Sequence, residues 1–359
     1  MDEFELIIGN RRFAGWESFS INRSIRSLSV GFTIEYSDKW IASDASWPVD
    51  IGDRAKISIS GEMVLDGYIE KRRRSATPES RKLKVMGRDT TGDMIDCSLV
   101  IEPFTLKDVH LKKIIEIASK PFGIKKVDFR GDAGDKFSDI SIQPGETAFE
   151  FIDRYAKPRG LLFYSDGNGT IIVTKPGTEY SEAALVEGEN IKTLTDTGDE
   201  TERFSSYTVK GQTNAVDWFA GEKAAHSEGK AEDRIFVKDD GISRERPLVI
   251  IAETAATSPD AKIRAQWEAS IRLARSYTAT ITVAGWRQKP KGKLWGINKL
   301  VKVKSHTLDL DESLLIQSVT FTHGENGSET TLELVRRGSF EPKPVIESEG
   351  GVKFVDIFK

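Results

Sequence analysis

The sequence predicts an α+β fold that is mainly β: an early β domain of small-barrel or sandwich type, an α+β domain, and a second β domain split around a helix-containing insertion. Three observations carry this reading. Val30, Phe32, Ile34 and Tyr36 alternate with Gly31, Thr33 and Glu35, the period of a strand buried on one face. Residues 105–118 and 148–156 instead place apolar side chains at helical spacing. Strand patterns return near the C-terminus, where Asn326-Gly327 is a strong hairpin signal. At 359 residues the chain is too long for one compact core, so several domains are expected.

Residues 1–98 form the first predicted β domain. Ile57 and Ile59 alternate with Lys56, Ser58 and Ser60, and Leu83 and Val85 with Lys82 and Lys84. Ile8-Gly9-Asn10, Trp47-Pro48, Gly52-Asp53, Ser60-Gly61 and Thr77-Pro78 supply turn chemistry between these runs. Residues 99–178 form the α+β domain. Thr105 and Asp108 have capping-box spacing, Leu106, Val109, Ile114, Ile117 and Ala118 then follow the helical period, and Pro121 and Gly123 stop the helix. Ala148, Phe151, Ile152, Tyr155 and Ala156 predict a second helix ending before Pro158. A hairpin follows, with Leu161–Tyr164 and Ile171–Thr174 as strands and residues 165–169 as the turn.

The second β domain is expected from 179–213 and 278–338, with strands around Thr278–Val283, Leu300–Val303, Leu315–Phe321 and Thr331–Val335. Between its halves lies the insertion 214–277. Residues 214–245 read as a long excursion with little core of its own, and Ser258-Pro259 opens a helix with Ile263, Trp267, Ile271 and Ala274 on one face. Residues 339–359, with Pro342, Pro344, Gly350 and Gly351, read as an extended arm.

The composition narrows function by exclusion. Lys and Arg number 52 against 56 Asp and Glu, a net charge of −4, whereas a protein that coats duplex DNA is strongly basic. The single cysteine, Cys97, excludes a disulfide framework and any zinc site built on several cysteines, and it reads as a small, partly buried apolar residue. No apolar run has the length of a membrane span, and MDEFELIIGN lacks the order of a secretory signal, so synthesis and folding in a reducing cytoplasm are expected. His110, His226, His306 and His323 form no metal or acid–base pair in sequence. Asp309, Asp311 and Glu312 read as a solvated turn, and Asp166-Gly167-Asn168-Gly169 as a hairpin turn rather than a calcium loop. Phosphate-loop, dinucleotide and nucleophile-elbow motifs are absent. No catalytic, cofactor or metal residue is assigned.

Two features remain as contact candidates. Lys71-Arg72-Arg73-Arg74, with Arg81, Lys82 and Lys84 across the turn, is either a solvated hairpin end or a surface for an acidic partner or passing DNA phosphates. Trp286 and Trp295 are either interface anchors or core residues.

Several segments, taken in order, resemble one family. They are Phe13-x-Gly15-Trp16 with Ser20-Ile21-Asn22-Arg23-Ser24-Ile25; Asp66-Gly67-Tyr68-Ile69-Glu70-x-Arg72-Arg73-Arg74; Val85-x-Gly87-Arg88-Asp89; and Asp93-x-Ile95-Asp96-Cys97. Further on come Arg203-Phe204-Ser205-x-Tyr207-Thr208-Val209-Lys210-Gly211, then Arg246-Pro247-Leu248-Val249-Ile250-Ile251-Ala252, then Gly285-Trp286. Together they resemble the Mu-like phage baseplate hub proteins, which are related to hubs of T-even phages, late-control D proteins and type VI secretion valine-glycine repeat proteins. The resemblance implies a structural protein in the virion tail, without catalysis or cofactor. It implies that both β domains are barrel-like, in a homotrimer whose two barrels per copy make a pseudo-sixfold collar. Its implied partners are the tail tube and other baseplate proteins, the central spike, and genomic DNA passing through the lumen. A tail-associated cell-wall hydrolase and a DNA-binding tail component using Arg72, Arg73 and Arg74 are the alternatives.

Overall fold

The computed structural model describes residues 3–9, 11–13, 16–37, 49–77, 81–156, 161–177, 179–210, 235–238, 241–251 and 258–340. The chain divides into two compact units: Met1–Thr195 with Ala279–Leu334, and Asp196–Thr278 with Val335–Lys359.

The first unit begins with strands β1 (Phe4–Ile8), β2 (Arg11–Phe13), β3 (Ser18–Ser24), β4 (Gly31–Ser37), β5 (Arg54–Ile59), β6 (Glu62–Ala76) and β7 (Arg81–Asp89). The alternation expected in β4 is present: Phe32, Ile34 and Tyr36 are buried, and Gly31, Thr33 and Glu35 are half-buried. In β5 the register shifts between Ile57 and Ser58, and Ser58 is buried with Ile57 and Ile59. The bulge breaks the simple two-residue period there. Ser60 and Gly61 take φ of 47° and 82°, closing the tight β5–β6 turn.

The middle of this unit holds α1 (Gly92–Asp96), β8 (Thr105–Val109), α2 (Leu111–Ser119), β9 (Lys126–Phe129), β10 (Phe137–Ser141), α3 (Ala148–Ala156), β11 (Leu162–Ser165) and β12 (Thr170–Thr174). The expected capping box at Thr105 and Asp108 is not formed. Residues 105–109 are a strand paired antiparallel with β10, Asp108 has φ 52°, and the helix starts at Leu111 with His110 in the capping position. The apolar positions of a short strand running straight into a helix imitate one longer helical period. The reciprocal cap lies at α3 instead, where Glu150 N donates to Thr147 Oγ1 at 3.2 Å and Thr147 N donates to Glu150 Oε2 at 2.9 Å. The end of α2 is as expected: Lys120–Phe122 tightens into a 3-10 turn and Gly123 takes φ 70°. Leu111, Ile114 and Ile115 of α2 and Phe151 and Ile152 of α3 pack with Phe163, Ile171 and Val173 in one buried cluster. Each such side chain contributes about 1.5–3 kcal/mol through burial.

The chain continues through β13 (Glu179–Tyr180), β14 (Leu185–Val186) and β15 (Ile191–Gly198), and later through β19 (Tyr277–Ala284), β20 (Lys299–Ser305), β21 (Leu310–Gly324) and β22 (Gly327–Val335). These late strands join the early ones in one sheet, with the order β15-β19-β22-β21-β3-β4-β7-β6-β5-β1-β2; β20 pairs with β21, β13 and β14. The junction is the antiparallel ladder of β21 on β3, from Ser318↔Ser24 to His323↔Phe19. Among the described residues neither β region closes into a barrel of its own: both lie along this one open path.

In the second unit β16 (Ser206–Lys210) pairs antiparallel with β17 (Ile235–Lys238) and parallel with β18 (Pro247–Ile251), and α4 (Ser258–Arg275) follows. The sequence placed 179–213 wholly in the second β domain and 214–245 outside any core. The structure instead puts β16 and β17 in this small sheet, where Tyr207 and Ala265 are buried and Phe204, Leu248, Ile250 and Ala269 pack on them. A four-residue strand in a polar stretch carries too little periodicity to be read beforehand. On α4, Ile271 and Ala274 are buried as expected, and the side chains of Ile263 and Trp267 lie outside the described residues. So do Trp47-Pro48, Pro78, Pro158, His226 and, beyond Phe340, the predicted arm.

Candidate assembly interface

The main sheet has two chemically different faces. One is apolar: Phe19 and Ile21 of β3, Phe32 and Ile34 of β4, Val85 of β7, Phe321 of β21 and Leu332 of β22 are all buried. Many of the alternate positions carry short hydroxyls and amides, beside the Lys84–Glu35 ion pair. They include Ser20 and Asn22, Thr33, Thr320 and Thr322, Thr331, and Thr280 and Thr282, all outside the buried class. This follows from the strand period, which sends successive side chains to opposite faces. Asn22 Nδ2 stitches the junction on this face, donating to Ser318 Oγ at 3.2 Å and Thr320 Oγ1 at 2.8 Å. Thr282 Oγ1 meets Thr331 Oγ1 at 3.1 Å.

Cations gather on one wing of the same sheet, the β6–β7 hairpin. The arginine run does not act as one cluster, because alternate residues leave opposite sides of the strand. Arg72 faces the side of Val85, where its Nη1 donates to Val49 O at 2.6 Å and pairs with Asp50. Arg73 lies opposite Lys84, and Arg74 opposite Leu83. Lys84 is paired with Glu35 at 2.6 Å and Lys82 with Glu17 at 3.7 Å. Lys71, Arg73, Arg74 and Arg81 are exposed and make no ion pair among the described residues. The hairpin is pinned lower down by two glycines. A Cβ on Gly67 would sit 2.0 Å from Arg88 O, and one on Gly87 would sit 1.9 Å from Tyr68 O. The strands approach closely where β6 bulges between Ile69 and Lys71.

The two candidate tryptophans lie in the interior. Trp286 and Trp295 are each 2 % exposed. Trp286 Nε1 donates to Thr322 O at 2.9 Å, and its ring lies 5.5 Å from Phe19 and 6.2 Å from His323. It therefore holds β3 to β21 within the chain, and an outward-facing anchor is not where the structure places it.

The sequence did not reveal a polar seam between the early β region and the helical region. Arg23 Nη2 donates to Val64 O at 2.7 Å, and a Cβ on Gly167 would lie 2.2 Å from that same oxygen. Burial lowers the Arg23 pKa, opposed by the fields of Asp166, Asp89 and Glu62. Asp89, 2 % exposed, accepts from Ser165 Oγ and from Thr91 Oγ1 at 2.6 Å. Burial pushes its carboxyl up to about 6, against the pull of those hydrogen bonds. Asp66 is buried but held by Arg54 at 2.8 and 3.0 Å and Lys125 at 3.3 Å. Burial raises its pKa, and these cationic donors outweigh that and leave it below the ordinary value. Beside the seam, Arg23, Arg130, Tyr164, Asp166, Asn298 and Lys299 line part of an open cleft of about 380 Å³. Its cations are mostly matched: Arg130 and Lys299 both pair with Glu179, at 3.8 and 3.4 Å.

The described histidines and acidic turns sit in structural contacts. His110 Nδ1 lies 3.2 Å from Gly134 O and His323 Nδ1 3.0 Å from Ser328 Oγ, far apart in the chain and each in a structural contact. Asp309 has φ 51° in the β20–β21 turn, and Asp166 Oδ1 accepts from Asn168 N and Thr170 N at 2.7 and 3.0 Å, as a hairpin turn does. Among the described residues no three of His, Cys, Asp and Glu are placed to hold a metal ion, and no helix is long and apolar enough to cross a membrane. Cys97 is exposed rather than partly buried. It follows a five-residue helix whose apolar side is already filled by Met94.

Three family models match successive parts of the chain. They are the N-terminal domain of Mu phage baseplate assembly protein GpP-like proteins over 3–89, the second domain of baseplate hub protein gp44-like proteins over 91–175, and the fourth domain of Mu phage baseplate assembly protein GpP over 257–343. The baseplate hub protein gp44 of Escherichia phage Mu is 33% identical over 341 residues, covering 92% of this chain and 86% of that protein. The crystal structure of the 43 kDa tail protein of prophage MuSo2 from Shewanella oneidensis is 32% identical, with a TM-score of 0.82, covering 94% of this chain and 99% of that one. The E. coli type VI secretion component c3393, described as structurally similar to T4 tail proteins gp27 and gp5, shares the fold at 10% identity. Its TM-score is 0.56, over 95% of this chain and 79% of that one. With a third of its residues identical to the phage Mu hub protein over nearly its whole length, the chain belongs to the Mu-type phage tail baseplate hub family.

Proposed function

We propose that this protein is the central hub of a contractile tail baseplate: three copies close into a ring that joins the sixfold tail tube to the threefold spike and lets DNA pass. The observation that carries this reading is the β21–β3 ladder. It sets an early and a late β region side by side in one sheet, so each copy can present two similar surfaces, and three copies can present six. The two-faced sheet supports it further. A lumen that passes DNA must not grip phosphates, since each neutralised phosphate adds a salt-sensitive increment of affinity. A face rich in serine, threonine and asparagine offers hydration without that grip, and cations on it are held in pairs such as Lys84–Glu35 and Lys192–Glu329. The protein acts in the virion tail as a structural part, without catalysis. A direct DNA contact narrows to Arg73 and Arg74, because Arg72 is tied to Val49 and Asp50.

Quantitative mass spectrometry of purified tails tests this reading. The expected result is a hub present at half the number of subunits in one ring of the tail tube. Its absence from intact tails, or a copy number equal to that of a tube ring, contradicts it.

A further inference from the structure

We propose that the open cleft beside the polar seam is a carboxylate-binding site that receives a Glu or Asp side chain of another tail protein. This goes beyond the ring reading and does not depend on it.

Arg23 of β3 carries the inference. Among the described residues it is the lining cation without an ion-pair partner. Arg130 is held by Asp128 at 2.8 Å and reaches Glu179 at 3.8 Å, and Lys299 reaches Glu179 at 3.4 Å. Among the described residues the Arg23 guanidinium makes one hydrogen bond, from Nη2 to Val64 O at 2.7 Å, and its Nε is buried with no partner. That leaves Nη1 to a ligand. Asp166, Asp89 and Glu62 act on Arg23 through their fields, and burial still lowers its pKa. A desolvated guanidinium with no carboxylate in contact is costly, and a carboxylate brought from outside offsets that cost.

The walls decide which anion fits. Among the described residues the lining holds three cations, Arg23, Arg130 and Lys299, and two carboxylates, Asp166 and Glu179. One positive charge is left over, which suits a singly charged carboxylate. A phosphate dianion meets the same two carboxylates with twice the charge. Half-buried Ile172 and Ile297 offer an apolar wall to the methylenes of an acidic side chain. The opposite rim is preset by Asn298, which is 4 % exposed and has φ 58°. Its side chain accepts from Gly177 N at 2.8 Å and donates to Lys175 O at 3.1 Å. At about 380 Å³ the cleft has the size of a small-ligand pocket, and its open mouth admits a side chain still attached to its own backbone.

NMR titration of the full-length chain tests the proposal. The reporters are the Arg23 Nε–Hε signal, assigned through R23K, and the backbone amides of Gly296 and Lys299. The probes are the capped peptide acetyl-Gly-Gly-Glu-Gly-Gly-amide, the same peptide with Gln for Glu, acetate, and inorganic phosphate, at equal ionic strength. The Glu peptide is expected to move all three signals along one saturable curve, the Gln peptide to move none, and acetate and phosphate to bind more weakly. R23K, read from the two amides, keeps a charge but loses the fork, and is expected to weaken binding about tenfold. Should R23K disturb folding, exposed Glu179 supplies a second variant. E179Q removes one wall carboxylate and releases Arg130 and Lys299, and is expected to tighten binding about threefold. No saturable shift with the Glu peptide, or an E179Q affinity equal to the wild type, overturns the site. Phosphate binding as tightly as the Glu peptide overturns the carboxylate assignment, and acetate binding as tightly overturns the side-chain occupant.

Discussion

Asp89 is a buried carboxyl whose titration departs from that of an aspartate in solution. It ends β7, is buried, and meets Ser165 of β11 and Thr91 ahead of α1. Its carboxyl is pushed from 3.8 up to about 6, so between those pH values the folded chain holds a proton there that the unfolded chain has released. Its contribution to stability is full below the unfolded value and is lost as pH rises through about 6, on the order of 3 kcal/mol in all. Other carboxylates, such as Asp66, shift downward and act in the opposite sense. A comparison with Asp89→Asn isolates this one. Relative to the wild type, the variant is expected to be more stable at pH 7 than at pH 4 in urea unfolding. An equal difference at both values contradicts the assignment. In the sequence, Val85-x-Gly87-Arg88-Asp89 was legible as a motif, but nothing local marks Asp89 as buried, because its partner Ser165 is 76 residues away.

Among the elements, the β6–β7 hairpin was the most legible, from the alternation of Leu83 and Val85 and the turn at Thr77-Pro78. The division of its arginines was not, because strand pairing sends Arg72 and Arg73 to opposite sides and the Asp50 partner comes from a distant loop. The hairpin depends on the close approach at Gly67 and Gly87. Gly87→Ala places a methyl group 1.9 Å from Tyr68 O, which a backbone shift must relieve. A loss of about 1–3 kcal/mol is expected in denaturant unfolding. An unchanged midpoint contradicts the close approach. The helices show the same division between local and distant information. Ala148–Ala156 was readable from spacing alone, whereas Thr105–Val109 imitated a helix start because its strand partner β10 lies about thirty residues on.

At the scale of the molecule, both β regions were readable as strands but not as one sheet. The β3–β21 ladder links positions 296 residues apart, and no periodicity within either strand encodes its partner. The burial of Trp286 follows from the same junction, since its indole packs on Phe19 and donates to Thr322 O. The second unit was hidden for another reason: its short strands β16, β17 and β18 are separated by long polar stretches. What the continuous sheet offers is one broad surface, apolar on one side and rich in hydroxyls on the other, running from β15 to β2. In the proposed ring, three such sheets would form a hollow collar without any new fold. The native mass of the purified full-length chain reads this most directly. Three times 40.0 kDa, with no dimer at intermediate concentration, is the expected result. A single 40.0 kDa species at high concentration, or a discrete twofold dimer, contradicts it.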